Sequence, residues 1–434
     1  METKTTPRRL AMQSLLACEK CGKYTNLEID AGIRGAGMSD ADKGLYTRLV
    51  YGVSERRMTL DYIIDRYAKN TKAAELDPDV RTALRIGLYQ MCYMDRIPEF
   101  AAVSESVSLV NRGKGGFVNA ILRSFLRDGK KIVYPDKEKD PFYYASIYYS
   151  MPAALVKLFV DSYGWETAEK ILSCVNGEPD VYLRCNTERI TPEDAAAQTG
   201  GTVDERFTGM IRVESVTESV RKGLEDGLYF VQDGASRLCT MILGAMPGER
   251  LVDTCACPGG KSFSAALDMQ DRGEVFSFDL HGNKLTLIDK TAGRLGLDII
   301  HTGVRDARNP DTALVDTADR VLCDAPCSGL GVIAKKPDIR YKDISDIENL
   351  PRIQREVLEG ASRYVKPGGV LVYSTCTLHK KENEEVVNAF LETHPDFTLS
   401  PFAVGGVKAE GMITLFPHIH HTDGFFIARM VRKA

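Results

Sequence analysis

Residues 251–261 read Leu-Val-Asp-Thr-Cys-Ala-Cys-Pro-Gly-Gly-Lys and continue directly into Ser-Phe-Ser-Ala-Ala-Leu. An apolar run that ends in an acid, a turn with proline and two glycines, and small residues from Ser262 predict a strand, a tight loop and a helix. This is the opening unit of a Rossmann-like sheet. The glycines let a ligand approach the backbone, and the helix start offers unpaired N–H groups. Because the spacing lacks Gly-x-Gly-x-x-Gly, we expect a ligand other than a dinucleotide.

The composition is typical of a soluble protein with several domains. A chain of 434 residues exceeds one ordinary core, and its 44% hydrophobic and 27% charged residues fit a globular class. No apolar run approaches the roughly 20 residues of a membrane span, and residues 1–9 lack the apolar core of a signal peptide. We therefore expect a cytoplasmic protein with no membrane association. Eleven cysteines without a secretory signal favour reduced thiols. The net charge of −4 argues against a uniformly basic surface but allows a local basic face.

Residues 1–135 predict an all-α domain, because apolar residues recur at three-to-four spacing around Leu10, Leu45, Leu60 and Leu84. Within it, residues 112–116 read Arg-Gly-Lys-Gly-Gly and predict a basic loop that leads into a helix. Such a loop can cradle a phosphate backbone, although a flexible connector fits the same spacing equally well.

A small α+β subdomain is predicted for residues 141–228. Residues 150–175 favour a helix, residues 181–186 alternate like a strand, and Thr191-Pro192 is typical of a helix start. A catalytic domain is predicted from residue 229 to residue 434.

Three acids follow predicted strands of that catalytic domain. The strand over residues 275–278 ends in Asp279, and an acid at the tip of the second strand can accept hydrogen bonds from both ribose hydroxyls. A third unit ends near Asp306, and a fourth strand over residues 321–323 ends in Asp324. Ligands of open α/β sheets bind at these carboxyl ends.

Two cysteines lie just past the ends of two strands. Cys327 follows the fourth strand, and Cys376 follows a fifth strand over residues 370–373, itself preceded by a predicted turn at residues 366–369. A buried structural role is the ordinary one for each cysteine alone. If the two strands are neighbours, however, both thiols could face one substrate, and a thiolate is a strong nucleophile. The nearby cations Lys335, Lys336 and Arg340 could lower a thiol pKa or bind an RNA phosphate.

The sequence resembles the bacterial ribosomal RNA small-subunit methyltransferase B family over nearly its whole length. Residues 253–261 resemble the cofactor loop of RNA cytosine-5 methyltransferases, residues 324–329, Asp-Ala-Pro-Cys-Ser-Gly, match their fourth motif, and residues 374–377, Ser-Thr-Cys-Thr, match their catalytic motif. The helical front end, with residues 116–123, resembles a NusB-like RNA-binding domain. Cys257 stands where alanine is usual in the family, and Thr377 where serine is common.

This resemblance implies an α/β fold: a Rossmann-like S-adenosylmethionine-dependent methyltransferase domain, preceded by an all-α NusB-like domain and the small α+β subdomain. It implies that Asp279 holds the cofactor ribose, Asp306 lies by the adenine, and Asp324 lies between cofactor and target base. It further implies that Cys376 adds to C6 of a cytosine in 16S ribosomal RNA, and that Cys327 assists loss of the C5 proton. The cofactor loop is then lined by Cys255, Ala256, Cys257, Pro258, Gly259, Gly260 and Lys261.

Two other functional classes fit the sequence less well than a cytosine-5 methyltransferase. An amino methyltransferase would carry Asn/Asp-Pro-Pro-Tyr/Phe where this chain has Asp-Ala-Pro-Cys, and a non-enzymatic ribosome-assembly or antitermination factor would not need both thiols. The histidines of residues 418–421 are more simply structural than a metal cluster, so no metal is expected. We expect a monomer that acts on ribosomal RNA, either alone or within a partly assembled small subunit.

Overall fold

The computed structural model describes residues 6–21, 23–35, 37–177 and 180–434, without the side chain of Cys21. The chain forms two compact units. The first contains the described residues up to 177 together with Ile333–Lys342, and the second contains residues 180–332 together with Asp343–Ala434. No helix of the described residues is long and apolar enough to cross a membrane.

The first unit is all-α, as predicted. Helix α5 lies at its centre, because eleven of its sixteen residues are buried among the other helices. The segment Ile333–Lys342 belongs to this unit and contains a short 3₁₀ helix, Pro337–Tyr341. The α-helices are α1 (Pro7–Cys21), α2 (Thr25–Gly35), α3 (Asp40–Glu55), α4 (Arg57–Tyr67), α5 (Pro78–Tyr93), α6 (Glu99–Ser108), α7 (Arg112–Arg127), α8 (Pro141–Tyr148) and α9 (Ala153–Cys174).

The predicted glycine-rich loop at residues 112–116 is wrong, because these residues are the first turn of α7. Gly115 is buried there, and a Cβ atom at this position would lie 3.2 Å from the side chain of Val107. The Nζ atom of Lys114 lies 2.8 Å from Asp77 and 3.1 Å from Asp79. Close helix packing therefore accounts for the small residue at 115, and two carboxylates already neutralise the lysine.

The second unit begins with a small antiparallel sheet of order β2-β3-β1-β4. Thr191 caps α10, because its hydroxyl accepts a hydrogen bond from the backbone N of Asp194 at 3.1 Å, and Pro192 is the first helical residue, as predicted. The elements are β1 (Val181–Cys185), α10 (Pro192–Thr199), β2 (Thr202–Val203), β3 (Met210–Val213), α11 (Glu218–Glu225) and β4 (Tyr229–Val231).

An eight-stranded sheet forms the rest of the second unit and confirms the Rossmann-like prediction. Its strands are β5 (Arg250–Asp253), β6 (Glu274–Asp279), β7 (Ile300–Val304), β8 (Ala318–Asp324), β9 (Val365–Thr375), β10 (Phe397–Leu399), β13 (Met412–Leu415) and β14 (Phe425–Arg432), and a separate hairpin contains β11 (Phe402–Val404) and β12 (Val407–Ala409). Its helices are α12 (Gly234–Leu243), α13 (Gly260–Asp268), α14 (Gly282–Leu295), α15 (Ser345–Glu348), α16 (Leu350–Ser362), α17 (Glu384–Thr393) and α18 (Pro417–His420).

The strand order brings the predicted site together. The order is β10-β14-β9-β8-β5-β6-β7, in which β5 to β9 pair in parallel and β14 pairs antiparallel with β9. From β5 the chain adds β6 and β7 on one side of the sheet and then crosses to add β8 and β9 on the other side. Open α/β sheets bind ligands at this switch in strand order. The residues after β5, β8 and β9 therefore meet at one edge.

The structure differs from the sequence at one predicted turn and at the predicted domain boundaries. The predicted turn at residues 366–369 lies within β9, at an irregularity where the pairing with β8 shifts register. The helices α8 and α9 belong to the first compact unit, and β4 pairs with β1 of the small sheet. The compact units thus do not share the bounds 1–135, 141–228 and 229–434, and the division into three domains stays a prediction.

Candidate active site

The loop between β5 and α13 has the conformation that its glycines predict. Gly259 has a φ of 105°, and a Cβ atom there would lie 2.3 Å from the ring of Phe263. Only glycine fits this position without displacing the ring. The backbone N of Ala256 donates to the carbonyl of Phe278 at 2.8 Å, so the loop is held against the end of β6.

Buried polar groups hold the base of this loop. The hydroxyl of Ser262 donates to Oδ2 of Asp253 at 2.7 Å, and the hydroxyl of Ser277 lies 2.9 Å from that of Ser262. Asp253 is 1% exposed. Burial raises the pKa of Asp253 to about 7, although the hydrogen bond from Ser262 opposes this rise. Asp253 is thus a structural acid below the loop that is protonated in much of the neutral range.

Asp279 and Asp306 lie after neighbouring strands but differ in their partners. Oδ1 of Asp279, the last residue of β6, accepts a hydrogen bond from the backbone N of His281 at 3.0 Å, and the side chain is partly exposed. Burial raises the pKa of the Cys257 thiol in the loop between β5 and α13, and the nearby Asp279 carboxylate adds to this rise. Asp306 instead forms a two-pronged ion pair with Arg308, at 2.9 and 2.6 Å, which lowers its pKa. A ligand at Asp306 would share that carboxylate with Arg308.

Lys261 connects the loop between β5 and α13 to the loop after β8. Its Nζ atom lies 2.6 Å from Oδ2 of Asp324, and the hydroxyl of Ser374 donates to Oδ1 of the same carboxylate at 2.7 Å. The Lys261 and Asp324 side chains are 12% and 28% exposed. Burial would lower the pKa of Lys261, but the carboxylate of Asp324 outweighs it and the pKa lies above its ordinary value. Lys261 is therefore charged, and it contacts the carboxylate that the family resemblance places between the cofactor and the target base.

The two predicted cysteines lie together. Their Sγ atoms are 3.2 Å apart, because β8 and β9 are neighbours and Asp324 pairs with Ser374 at the strand ends. The hydrogen bond with Cys376 and burial raise the pKa of Cys327 well above its ordinary value, and the charges of Glu382 and Asp324 act in the same direction. Cys327 therefore holds its proton at neutral pH and can donate it to the sulfur of Cys376.

Glu382 was missed by sequence reasoning. Its carboxylate is 0% exposed and lies among the residues that follow both cysteines. In the sequence it follows His379-Lys380-Lys381, which is typical of a solvated charged turn, and no local pattern distinguishes it from the exposed Glu385. Its position depends on the neighbouring loops, which a sequence pattern does not reveal.

Arg340 does not have the role of a thiol-activating cation. It is 0% exposed within the first unit, where its guanidinium donates to four oxygens: the carbonyls of Glu55, Ser150 and Val175 and Oδ1 of Asn176. Its donors are used to hold the segment Ile333–Lys342 in the helical unit. The pKa of Cys327 is moreover raised, whereas a neighbouring cation would lower it.

Family models match two parts of the chain. A model described as 16S rRNA methyltransferase RsmB/F matches residues 240–431, and the NusB family model matches residues 5–127. The probable ribosomal RNA small subunit methyltransferase B of Bacillus subtilis (strain 168) is 38% identical, over 99% of each chain. The protein of the same description from Synechocystis sp. is 34% identical, over 98% of each chain.

A solved structure shares the fold along the whole chain. The crystal structure of PH0851 superposes with a TM-score of 0.79 at 25% identity and covers 98% of both chains. The resemblance drawn from the motifs is thus confirmed, and so is the prediction of a methyltransferase enzyme with a NusB-like front end. The chain belongs to the ribosomal RNA small subunit methyltransferase B family.

Proposed function

We propose that this enzyme transfers a methyl group from S-adenosylmethionine to C5 of a cytosine in 16S ribosomal RNA, through a covalent bond between Cys376 and C6. The observation that carries this proposal is the 3.2 Å separation of the Cys327 and Cys376 sulfurs beside the Lys261–Asp324 pair. Two thiols at one sheet edge suit a reaction that needs a nucleophile and a second group to help resolve the adduct. An amine-directed methyltransferase would have no use for either thiol.

The residues around the β5 loop fit the cofactor. A Cβ atom at Gly260 would meet only Nε2 of Gln232, at 3.9 Å, so the backbone there leaves room for a ligand. The partly exposed carboxylate of Asp279 at the tip of β6 can accept hydrogen bonds from two ribose hydroxyls. S-adenosylmethionine supplies an electrophilic methyl group on a sulfonium centre and departs as a neutral thioether. We assign the loop residues 255–261 to binding it, with Asp306 near the adenine as a shared acceptor.

The two cysteines divide the work in this scheme. Cys376, whose sulfur lies 3.2 Å from that of Cys327, gives up its proton to water. Its thiolate adds to C6 and makes C5 electron-rich enough to take the methyl group. The C5 proton then leaves, the C5–C6 double bond forms again and the bond to Cys376 breaks. Once Cys376 is bonded to carbon, it no longer raises the pKa of Cys327 as it does in the free enzyme. The Cys327 thiol then loses its proton to water, and the resulting thiolate accepts the C5 proton.

RNA must present the target base outside a helix, because C6 inside a base stack is closed to a thiol. We infer that the helical unit adds affinity for the RNA backbone through exposed arginines such as Arg123 and Arg127 on α7. Replacing both with alanine should lower the slope of log affinity against log salt by up to about 2, roughly one per phosphate contact. An unchanged slope would assign RNA binding to other surfaces.

Bisulfite sequencing of 16S ribosomal RNA tests the proposal. One cytosine should be protected in cells with the enzyme and converted in cells without it, and purified enzyme with S-adenosylmethionine should restore protection. Protection that is identical in both cells, together with a methyl group found on an amine of the RNA, would contradict it.

A further inference from the structure

The buried carboxylate of Glu382 contacts the residue that follows each cysteine. Its Oε2 atom accepts a hydrogen bond from the backbone N of Ser328 at 2.9 Å, and its Oε1 atom accepts one from the hydroxyl of Ser328 at 2.6 Å. That hydroxyl also lies 2.7 Å from the hydroxyl of Thr377, which in turn donates to Oε1 of Glu382 at 3.5 Å. Ser328 directly follows Cys327 and Thr377 directly follows Cys376, so one side chain connects both loops.

Further partners fix the carboxylate itself. The side-chain amide of Gln354 on α16 donates to Oε2 at 2.9 Å and to the carbonyl of Pro326 at 3.0 Å. Nδ1 of His379 lies 3.2 Å from Oε1, and the hydroxyl of Tyr373 donates to the backbone carbonyl of Glu382 at 2.7 Å. Burial would raise the pKa of Glu382, but the hydrogen bonds from His379, Ser328 and Gln354 outweigh burial and keep it below its ordinary value. Glu382 is therefore an anion at neutral pH.

The two cysteine loops are already joined by backbone hydrogen bonds and do not need a buried carboxylate to fold. The backbone N of Gly331 already donates to the carbonyl of Cys376 at 3.0 Å, and that of Ala325 to the carbonyl of Ser374 at 2.9 Å. These backbone bonds join the loops without a buried charge. A buried anion is costly unless it is fully hydrogen-bonded, so a neutral residue would be the simpler choice for stability alone.

We propose that Glu382 is a positioning residue of the methyl-transfer reaction, which fixes the loops that carry Cys327 and Cys376 relative to one another. The charge of its carboxylate also acts on the neighbouring Cys327 thiol and favours the protonated form. The inference rests on the proposed function for its meaning in catalysis. The contacts of Glu382 with the two loops are independent of the proposed function, because they are present in the free enzyme. The charged and titratable groups that act on the Cys327 thiol include Cys376, Glu382 and Asp324, and the buried Tyr373 hydroxyl interacts with it as well.

Glu382→Gln keeps the size of the side chain and removes its charge. We expect kcat for methylation of the RNA to fall by roughly tenfold to a hundredfold, because small displacements of reacting groups have effects of this size, with KM for RNA and the affinity for S-adenosylmethionine unchanged. The matched control is Glu385→Gln, which removes an exposed charge from α17 and should behave as the parent enzyme. If Glu382→Gln lowers cofactor affinity and melting temperature together with kcat, the role of Glu382 is structural only and the proposal is overturned.

A second readout does not need activity. Iodoacetamide labelling of Cys327, followed by peptide mass spectrometry across a pH series, reports its ionisation in the free enzyme. The labelling curve should shift to lower pH in Glu382→Gln and stay in place in Glu385→Gln. An unchanged curve in Glu382→Gln would overturn the charge effect. If the parent enzyme makes no C5-methylcytosine, the proposed function fails, while this curve still decides whether Glu382 controls Cys327.

Ser328→Ala distinguishes the hydrogen bonds that join the two loops from the charge of Glu382. It removes the hydroxyl bonds to Glu382 and Thr377 but retains the carboxylate and the backbone N–H bond, so it also answers the question if Glu382→Gln does not fold. We expect a lower kcat with an unchanged Cys327 labelling curve. A parent-like kcat in this variant would overturn the positioning role.

Discussion

The Nζ atom of Lys261 lies 2.6 Å from Oδ2 of Asp324, and this ion pair joins the first residues of α13 to the end of β8. One partner belongs to the loop that we assign to the cofactor, and the other lies three residues before Cys327. The pair therefore holds the loop that we assign to the cofactor close to the loop that carries Cys327.

Removing one partner should leave the other charge buried and unpaired. We expect Lys261→Met and Asp324→Asn each to lower the free energy of unfolding by about 2–4 kcal/mol, because breaking a fully buried pair costs roughly 3–5 kcal/mol and these two side chains are 12% and 28% exposed. The double variant should lose less than the sum of the two, because neither charge is left alone. Urea denaturation of all four proteins gives the coupling, and strictly additive losses would show that the two groups stabilise the fold independently.

Asp253 should make stability depend on pH. Its pKa is about 7 in the folded protein and about 3.9 in an unfolded chain, so the folded state binds more protons between these values and stability falls as pH rises. The contribution is fully present below pH of about 4 and is lost as pH rises through about 7. In Asp253→Asn this loss is absent. The difference in unfolding free energy, variant minus parent, should therefore increase from pH 4.5 to 7.5, and a flat difference would mean that the carboxyl is charged when folded.

Asp279→Ala should weaken the cofactor without harming the fold. Removing a charged acceptor from two hydroxyls costs about 1.5–3 kcal/mol, or roughly tenfold to a hundredfold in Kd for S-adenosylmethionine. The exposed Asp226→Ala is the control for the loss of one carboxylate. Calorimetry that finds equal Kd values in parent, control and Asp279→Ala would remove Asp279 from the cofactor site.

Much of this site could be predicted from sequence because its parts are local. The strand and turn around Gly259, and the strands that end in Asp279 and Asp324, are visible in the order of apolar residues, acids and glycines. The juxtaposition of Cys327 and Cys376 needed only one further assumption, that consecutive parallel strands are neighbours, and the pairing of β8 with β9 meets it.

The remainder depends on tertiary structure. The pairing of Lys261 with Asp324 follows from the reversal of strand order between β5 and β8, and the burial of Glu382 follows from the packing of α16 against two loops. The prediction of a loop at residues 112–116 was wrong because glycine and lysine are common both in loops and at helix starts. The ion pairs of Lys114 with Asp77 and Asp79 could be seen only in the structure. Arg340 misled in the same way, since its partners lie far from it in sequence.

The most direct measurement compares covalent RNA adducts of Cys376→Ala and Cys327→Ala on denaturing gels, with S-adenosylmethionine and RNA that contains the target cytosine. Loss of the nucleophile prevents both adduct and product, whereas loss of Cys327 permits attack and methyl transfer but stalls release. We predict a methylated protein–RNA adduct in Cys327→Ala alone and neither adduct nor methylated RNA with Cys376→Ala. An adduct in Cys376→Ala and none in Cys327→Ala would exchange the two roles, and methylation by the double variant would contradict covalent catalysis.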